Sequence, residues 1–442
     1  MARRLPPRDS QIRAWLEAHV NLERGVGRPA HVARAESPTL DRIQQLTSLL
    51  GSPQLDVPTV HITGTNGKTS TARLVAQLLR THGWKVGTYT SPNLERLNDR
   101  ISIGGVEVDD DTLDSLLHTV ERAEPHMAEP PSYFEILTAA ALYWFSDEAV
   151  DVAVVEVGLG GTWDATNVVD ADVAVITNVA LDHVEYLGPD RPSIARDKAG
   201  IITPMSSLAL GETDPELVEI FAAREPQQLM LRGRDFDISE NRIAVGGRAV
   251  DIVTPSARYN EVFLDLHGTY QADNAALALT AAELYAGAPL DDAVVREAYA
   301  TVTSPGRMEF VARQPLVVLD GAHNVAGARA LRDALDEELG PMPRTLVVGL
   351  LREKDPAEML AAFGLDGTRH LVVCRPPSPR AHDPETIAKA AEAMGFDPEA
   401  IDVVDDVRSA VGTGVLETPD DGQLVITGSL YVVGEARSIF VK

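Results

Sequence analysis

An apolar stretch, Val57 to Ile62, runs straight into the turn Thr63-Gly64-Thr65-Asn66-Gly67 and then into Lys68-Thr69-Ser70. Apolar residues then recur at helical spacing from Thr71 to His82. Strand, glycine-rich turn and helix in that order leave few folds open. A glycine turn lets backbone N–H groups and a helix N-terminus close around one phosphate, with Lys68 reaching its outer oxygens and Thr69 approaching a magnesium ion. The full pattern carries a glycine where this chain has Ile62, so what stands here is the shorter Gly64-x-x-Gly67-Lys68-Thr69 form. The competing reading is an ordinary strand-to-helix turn.

Lysine usage sharpens the choice. The chain has six lysines against 33 arginines, and its formal net charge is −27. Such a field argues against general binding to nucleic acid or to anionic membranes, and makes any anion site a local exception. Scarcity makes Lys68, Lys198 in Ala-Arg-Asp-Lys-Ala-Gly, and Lys354 candidates for specific roles. One cysteine, Cys374, excludes a disulfide framework and any multi-thiolate metal site. No apolar run is long enough to span a membrane. Basic residues in Met1–Arg8 are followed by no apolar stretch, so a cytoplasmic protein is expected.

Strand and helix patterns alternate along the 442 residues, which predicts an α/β protein of about two or three domains with a largely parallel sheet. Residues 132–146 read as a mostly buried helix. The near-continuous apolar runs Asp151–Val157 and Asp172–Asn178 read as central strands covered on both faces. Between about 226 and 267 short β segments suggest a small antiparallel excursion, followed by a helix over Gln271–Ala286. A boundary is expected near Thr303-Ser304-Pro305-Gly306-Arg307. It would separate a P-loop-type ATP-binding domain, 1–304, from a smaller Rossmann-like α/β domain, 305–442. The second domain reads as strand Leu316–Leu319, helix Val325–Leu339, strand Thr345–Leu350, strand His370–Cys374, helix Pro384–Met394, strand Gln423–Thr427 and a closing helix.

Four further constellations carry chemistry. Glu156 ends an apolar strand and is followed by Gly158 and Gly160-Gly161, a placement suited to a hard-oxygen magnesium ligand opposite the phosphates, or to capping of the next turn. Asp182-His183 follows the next strand, on the edge where open α/β sheets bind ligands; a structural histidine is the alternative. Arg307 offers a planar, permanently charged fork for phosphate or carboxylate. Asp320-Gly321-Ala322-His323-Asn324 again joins a strand to a helix through a tight turn, the mark of a ligand edge; an interdomain ion pair plus an N-cap is the alternative for both of these last groups.

The order of these motifs resembles the dihydrofolate synthase/folylpolyglutamate synthase family of Mur-type amide ligases. Gly-Thr-Asn-Gly-Lys-Thr, Thr90-Ser91-Pro92-Asn93-Leu94, Glu156-Val-Gly-Leu-Gly-Gly, Asp164-Ala-Thr-Asn167, Leu181-Asp-His183, Asp197-Lys198-Ala-Gly-Ile, His267-Gly268…Asn274, Ser-Pro-Gly-Arg307 and Asp320-Gly-Ala-His-Asn324 carry it, over roughly 40–435. The resemblance implies that Gly64, Thr65, Asn66, Gly67, Lys68, Thr69 and Ser70 cradle ATP. It implies that Ser91, Glu156 and His183 hold or orient magnesium, and that Lys198 is carbamylated and helps to hold a second Mg²⁺. Asn274 would approach the adenine, Arg307 and Asp320 the nucleotide, and His323 the glutamate and γ-phosphate. Phe134 and the Asp164 loop would border the pterin, and segment 21–45, with Gly25, Gly27 and the Leu40/Ile43 face, would wall it.

That resemblance predicts an ATP-dependent ligase acting as a monomer on L-glutamate and on dihydropteroate, the glutamyl tail of reduced folates, or both, with Lys68, Lys198 and His323 in catalytic roles. Departures are Asn93 where the family often has histidine, Thr162 in place of a frequent arginine, and Asp99 and Asp197 in place of glutamates. A Mur-type ligase for another acid remains an alternative, although a cell-wall member would need a further N-terminal domain for its UDP-sugar. A P-loop kinase or GTPase leaves Arg307 and Asp320 unexplained, and a non-catalytic nucleotide-binding protein leaves unexplained why the charged residues are all present.

Overall fold

The computed structural model describes residues 8–21, 23 and 39–441. Gly25 and Gly27, in the segment expected to wall the pterin, lie outside them. Contacts divide the chain into two compact units that do not follow it in two blocks. One takes Met1–Asp237, Ile252–Tyr259 and Asn274–Tyr299; the other takes Ile238–Asp251, Asn260–Asp273 and Ala300–Lys442.

The first unit is built on β1 (Thr59–Thr63), β2 (Val86–Tyr89), β3 (Ile101–Ile103), β4 (Val106–Glu107), β5 (Val152–Glu156), β6 (Val173–Ile176), β7 (Ser207–Leu210) and β8 (Gln228–Leu231). They form one sheet in the order β4-β3-β2-β5-β1-β6-β7-β8. β1 lies at its centre, parallel to both neighbours, with Ile62 opposite Glu156 on one side and Val175 on the other. All its residues are buried, as expected of a strand covered on both faces. The strand starts at Thr59 rather than Val57 because Pro58 has no N–H to give to a ladder. β8 is a correction to the expected antiparallel excursion: it pairs parallel with β7 as the eighth strand. The rest of the excursion, β9 (Asp237–Ala244), β10 (Gly247–Val253) and β11 (Arg258–Leu264), forms a separate three-stranded sheet in the order β11-β10-β9.

Helix Lys68–His82 begins three residues earlier than its periodicity suggested, because Gly67, at φ 84°, is itself the residue before the first turn. It buries Ala72, Leu74, Val75, Leu78 and Leu79 completely and stops at Gly83 in the left-handed conformation. Helix Tyr133–Asp147 starts on a capping box in which Ser132 and Glu135 bond each other's backbone N–H. It lies in a core with Tyr89, Ala153 and Val155, while a second core gathers Ala174, Ile176, Leu208 and Leu210 with Ile194 and Phe221.

The second unit carries β12 (Glu309–Arg313), β13 (Leu316–Leu319), β14 (Arg344–Val348), β15 (Thr368–Cys374), β16 (Ile401–Val404) and β17 (Gln423–Thr427), ordered β12-β13-β17-β14-β15-β16. β12 runs antiparallel to β13, and the other pairings are parallel. Helix Val407–Glu417 had no clear signal in the sequence, since it contains Gly412 and Gly414, poor helix formers. Gly414 is needed: a Cβ there would lie 2.8 Å from the Leu424 side chain.

Arg248 is the most telling residue of this unit. It follows Gly246-Gly247 at the start of β10, yet its side chain is fully buried. Its guanidinium donates to Asn241, to Glu338 at 3.0 Å and to Glu337 at 2.9 Å. The same two carboxylates bond His267 Nδ1 at 2.6 Å, Gly268 N–H at 2.7 Å and Thr269 Oγ1 at 2.6 Å. These bonds fasten the hairpin strands to the end of helix Val325–Leu339. Replacing Arg248 by alanine leaves Glu338, which is 4% exposed, without its cation. The variant is expected to lose ~3 kcal/mol of stability, read as a lower urea midpoint, and an unchanged midpoint would show that the network is not needed for folding.

Candidate active site

The parallel register delivers the ends of β1, β5 and β6 to one edge of the sheet, so the loops after Thr63, Glu156 and Ile176 meet there. Thr63 Oγ1 donates to Gly160 O at 2.6 Å, and Thr65 N–H donates to Asn178 O at 2.9 Å. Asn66 is held by both groups of one side chain: its N–H donates to Asn178 Oδ1 at 3.1 Å, and its carbonyl accepts from Asn178 Nδ2 at 3.1 Å and from Thr177 Oγ1 at 2.6 Å. Gly64 permits this closeness. A Cβ there, at φ 153°, would lie 1.7 Å from Thr177 Oγ1. Asn274 stands over the other glycine of the loop, its Oδ1 2.6 Å from where a Gly67 Cβ would be. Ser70 is buried in the first turn of the helix that follows.

Oxygen ligands collect beside the loop. Glu156 is 1% exposed; its Oε1 accepts from Thr69 Oγ1 at 2.9 Å and its Oε2 from Ser91 N–H at 3.2 Å. Ser91 Oγ is buried and has no hydrogen-bond partner in the structure. A buried carboxylate bonded to the Thr69 hydroxyl and to the backbone of a serine whose own hydroxyl is unsatisfied could serve a hard cation that takes its remaining ligands from phosphate and water. Among the described residues no three His, Cys, Asp or Glu side chains are grouped as an all-protein metal site. The oxygen donors present suit magnesium bound together with a nucleotide.

Two of the six lysines meet at one atom. Lys68 Nζ donates to Gly64 O at 3.1 Å and to Thr65 O at 3.2 Å, and Lys198 Nζ donates to the same Gly64 O at 2.8 Å. Lys198 is 3% exposed. Burial, reinforced by the nearby Lys68 charge, pushes its pKa down to about 7. A neutral amine is thus accessible to Lys198 at physiological pH.

Around this centre the remaining first-unit candidates separate into two groups. Phe134 and Asp164 meet at Gly158, where a Cβ would lie 2.6 Å from the Phe134 ring and 3.1 Å from Asp164 Oδ2. Asp164 is buried, and burial raises its pKa against the bonds it accepts from Thr166 and Leu159 N–H. His183 lies on the same sheet edge at φ 50°, opening the short helix Val184–Leu187, with its ring 3.9 Å from Asp182.

In the second unit Arg307, Asp320 and His323 come together at the end of β13. Asp320 accepts from Met308 N–H and Ala322 N–H, each at 2.8 Å. Burial raises its pKa, while the Arg307 charge and these N–H bonds pull the other way. A Cβ on Gly321 would lie 2.5 Å from an Arg307 terminal nitrogen, so glycine is what lets the guanidinium lie across the turn. His323 Nδ1 faces Gly321 O at 2.8 Å, which makes Nδ1 the protonated nitrogen of the neutral ring and leaves Nε2 as its basic one. Asn324 caps helix Val325–Leu339 through Gly327 N–H.

Sequence reasoning missed Asn178 and Thr177, which hold Asn66, and Arg100, which binds Asn93. The run Ile176-Thr177-Asn178 ahead of Asp182-His183 is the signal for the first two.

Residues 62–282 match the Mur ligase middle domain and residues 306–430 the Mur ligase glutamate ligase domain. The chain is 39% identical to the dihydrofolate synthase/folylpolyglutamate synthase of Mycobacterium tuberculosis, covering 91% of this chain and 90% of that one. It is 31% identical to the protein of the same name from Bacillus subtilis, covering 96% and 97%. The structure of Mycobacterium tuberculosis folylpolyglutamate synthase complexed with ADP superposes with a TM-score of 0.89 at 37% identity, over 98% of both chains. With both ligase domains matched in order, and relatives matched over nearly their whole length, the chain belongs to the dihydrofolate synthase/folylpolyglutamate synthase family of Mur ligases.

Proposed function

We propose that this chain is an ATP-dependent ligase that joins L-glutamate to dihydropteroate and to the glutamyl tail of reduced folates, working as a cytoplasmic monomer. The convergence of Lys68, Thr69, Ser91 and Glu156 on the glycine-rich loop carries the reading. That loop would take the phosphates of ATP on its N–H groups, with Lys68 exchanging its carbonyl acceptors for phosphate oxygens. Thr69, Ser91 and Glu156 would hold magnesium, with His183 as a further ligand or orienting group, and the ion would offset charge on the transferred phosphoryl group. No helix of the described residues is long and apolar enough to cross a membrane.

The chemistry is carboxylate activation. A substrate carboxylate oxygen attacks the γ-phosphorus, its bond to ADP breaks, and an acyl phosphate forms. The glutamate amine then attacks the acyl carbon, inorganic phosphate leaves and the nitrogen gives up a proton. Lys68 and Arg307 supply fixed positive charge, which works best in a water-poor site. His323 would bond the glutamate or accept that proton. Asn274 would pack beside the adenosine, and Phe134 with the Asp164 loop would border the pterin.

Lys198 would act as a carbamate, formed when its neutral amine takes up CO₂ and releases a proton. The product is a carboxylate suited to a second magnesium ion, where an ammonium would repel it. With the amine pKa near 7, carbamylation should grow as pH rises through that value and fade below it. Protein equilibrated with ¹³C-bicarbonate should show a carbamate carbonyl signal at pH 8 that weakens toward pH 6 and is absent from Lys198→Ala. A wild-type spectrum with no such signal at pH 8 would remove this role.

Phosphate release with MgATP and L-glutamate tests the main reading, with dihydropteroate in one assay and tetrahydrofolate in another. Turnover with both is expected, and Lys68→Ala should lower it by ~10²–10³. Turnover with one acceptor would restrict the enzyme to that step. Failure of both, with ATP binding intact, would point to a ligase for a different acid.

A further inference from the structure

Arg100 closes the short helix Leu97–Arg100 and is 2% exposed, among the largest fully buried side chains of the protein. Its Nε donates to Asn93 Oδ1 at 3.0 Å, and its terminal nitrogens donate to the two oxygens of Glu23 at 2.9 and 2.5 Å. The guanidinium carbon lies 5.7 Å from the centre of the Tyr133 ring. Burial opposes its charge, and Glu23 more than offsets that opposition, so the group is held charged. The carbonyl of the same residue accepts from Thr90 N–H at 2.8 Å.

These bonds bracket Ser91. Thr90 is tied to the Arg100 backbone, Asn93 to the Arg100 side chain, and between them Ser91 N–H reaches Glu156 while Ser91 Oγ is left unpaired and buried. A serine hydroxyl on a loop can ligate a cation only if the loop holds its place before the ion arrives. Fixing it with a buried, forked cation is more exact than packing alone, because the guanidinium satisfies Glu23 and Asn93 in one plane.

We propose that Arg100 is a positioning residue for the magnesium-binding set: through Asn93 and its own carbonyl it fixes the Ser91 loop, and Glu23 anchors it from the N-terminal segment. The inference rests on the assignment of Ser91 to magnesium given above. It assigns Asn93 a part as well, as the acceptor that transmits the position of Arg100 to the loop. Breaking the link should weaken metal-dependent nucleotide binding and leave metal-free binding alone, whereas a general packing defect would lower both.

Calorimetry of the non-hydrolysable analogue AMPPCP, with and without Mg²⁺, reads this directly. In the wild type Mg²⁺ should strengthen AMPPCP binding. In Asn93→Ala and in Arg100→Lys, whose single ammonium cannot reach both partners, that strengthening should fall about 10-fold with metal-free affinity unchanged. Asn93→Asp keeps an oxygen facing Nε and should restore it. An undiminished Mg²⁺ effect in Asn93→Ala and Arg100→Lys overturns the inference, as does a parallel loss of metal-free affinity or a wild type that gains nothing from Mg²⁺. Glutamate ligation by the wild type, assayed alongside, separates the two levels. An inactive wild type counts against the functional reading, while active enzyme with unaltered variants counts against the role of Arg100 alone.

Discussion

The glycine-rich loop keeps its shape because the loop after β6 is pressed against it. Thr177 Oγ1 occupies the space a side chain at position 64 would need, and the Asn178 amide pairs with the Asn66 peptide as a neighbouring strand would. A loop of this kind must hold several N–H groups outward, unsatisfied, until an anion arrives, a conformation that costs free energy in isolation. Its inward-facing carbonyls are therefore bonded by side chains from elsewhere. Gly64 O takes both Lys68 and Lys198, and Asn66 O takes Thr177 and Asn178. Glu156 and Lys198 come to the loop from other elements: Glu156, at the end of β5, accepts from Thr69 in the first turn of the helix that the loop opens, and Lys198 donates to Gly64 O in the loop itself.

Much of this was legible in the sequence, for a definite reason. Buried strands that run as unbroken apolar stretches, and turns that require glycine, are set by local chemistry, so β1, β5, β6 and the phosphate loop could be read directly, as could β13, helix Val325–Leu339 and β17. Illegible were the long-range partnerships of polar residues. Arg248 sits in a run that looks like a surface turn, and nothing nearby announces Glu337 and Glu338, about ninety positions away. Arg100 looks like one of many arginines until Glu23 is seen against it. A helix such as Val407–Glu417, with two glycines, forms because tertiary packing overrides its weak propensity. In the candidate site the motifs name the candidate nucleotide and metal residues, whereas the residues that hold them in place, such as Asn178 and Arg100, carry no motif of their own.

Electrostatics gives these buried partnerships their meaning. The chain carries a net charge of −27, and every substrate assigned to it is an anion. Surface charge farther off than about 8 Å is largely screened in physiological salt, so the general repulsion is blunted while buried cations act at close range nearly unscreened. Lys68 and Arg307, each half-buried in its own unit, are shielded from solvent in part. Lys198 shows the limit of this strategy. Its amine is fully buried and shares Gly64 O with the Lys68 ammonium, and burial first and that neighbouring charge second depress its pKa.

The same reasoning bears on two of the four positions that depart from the family pattern, Thr162 and Asn93. Thr162 turns its hydroxyl to Asp197 O at 2.8 Å while its N–H bonds the same carbonyl at 3.0 Å, and Gly200 lies close against it. Asn93 gives its side-chain oxygen to Arg100. Both side chains are thus engaged with their own protein, one at the helix that carries Lys198 and the other at the loop that carries Ser91. A residue bonded in this way influences a reaction by setting where its neighbours stand. Changes at 93 and 162 would therefore act first on the metal-side geometry, and any effect on the choice of acid would follow from that displacement rather than from lost contact with the pterin.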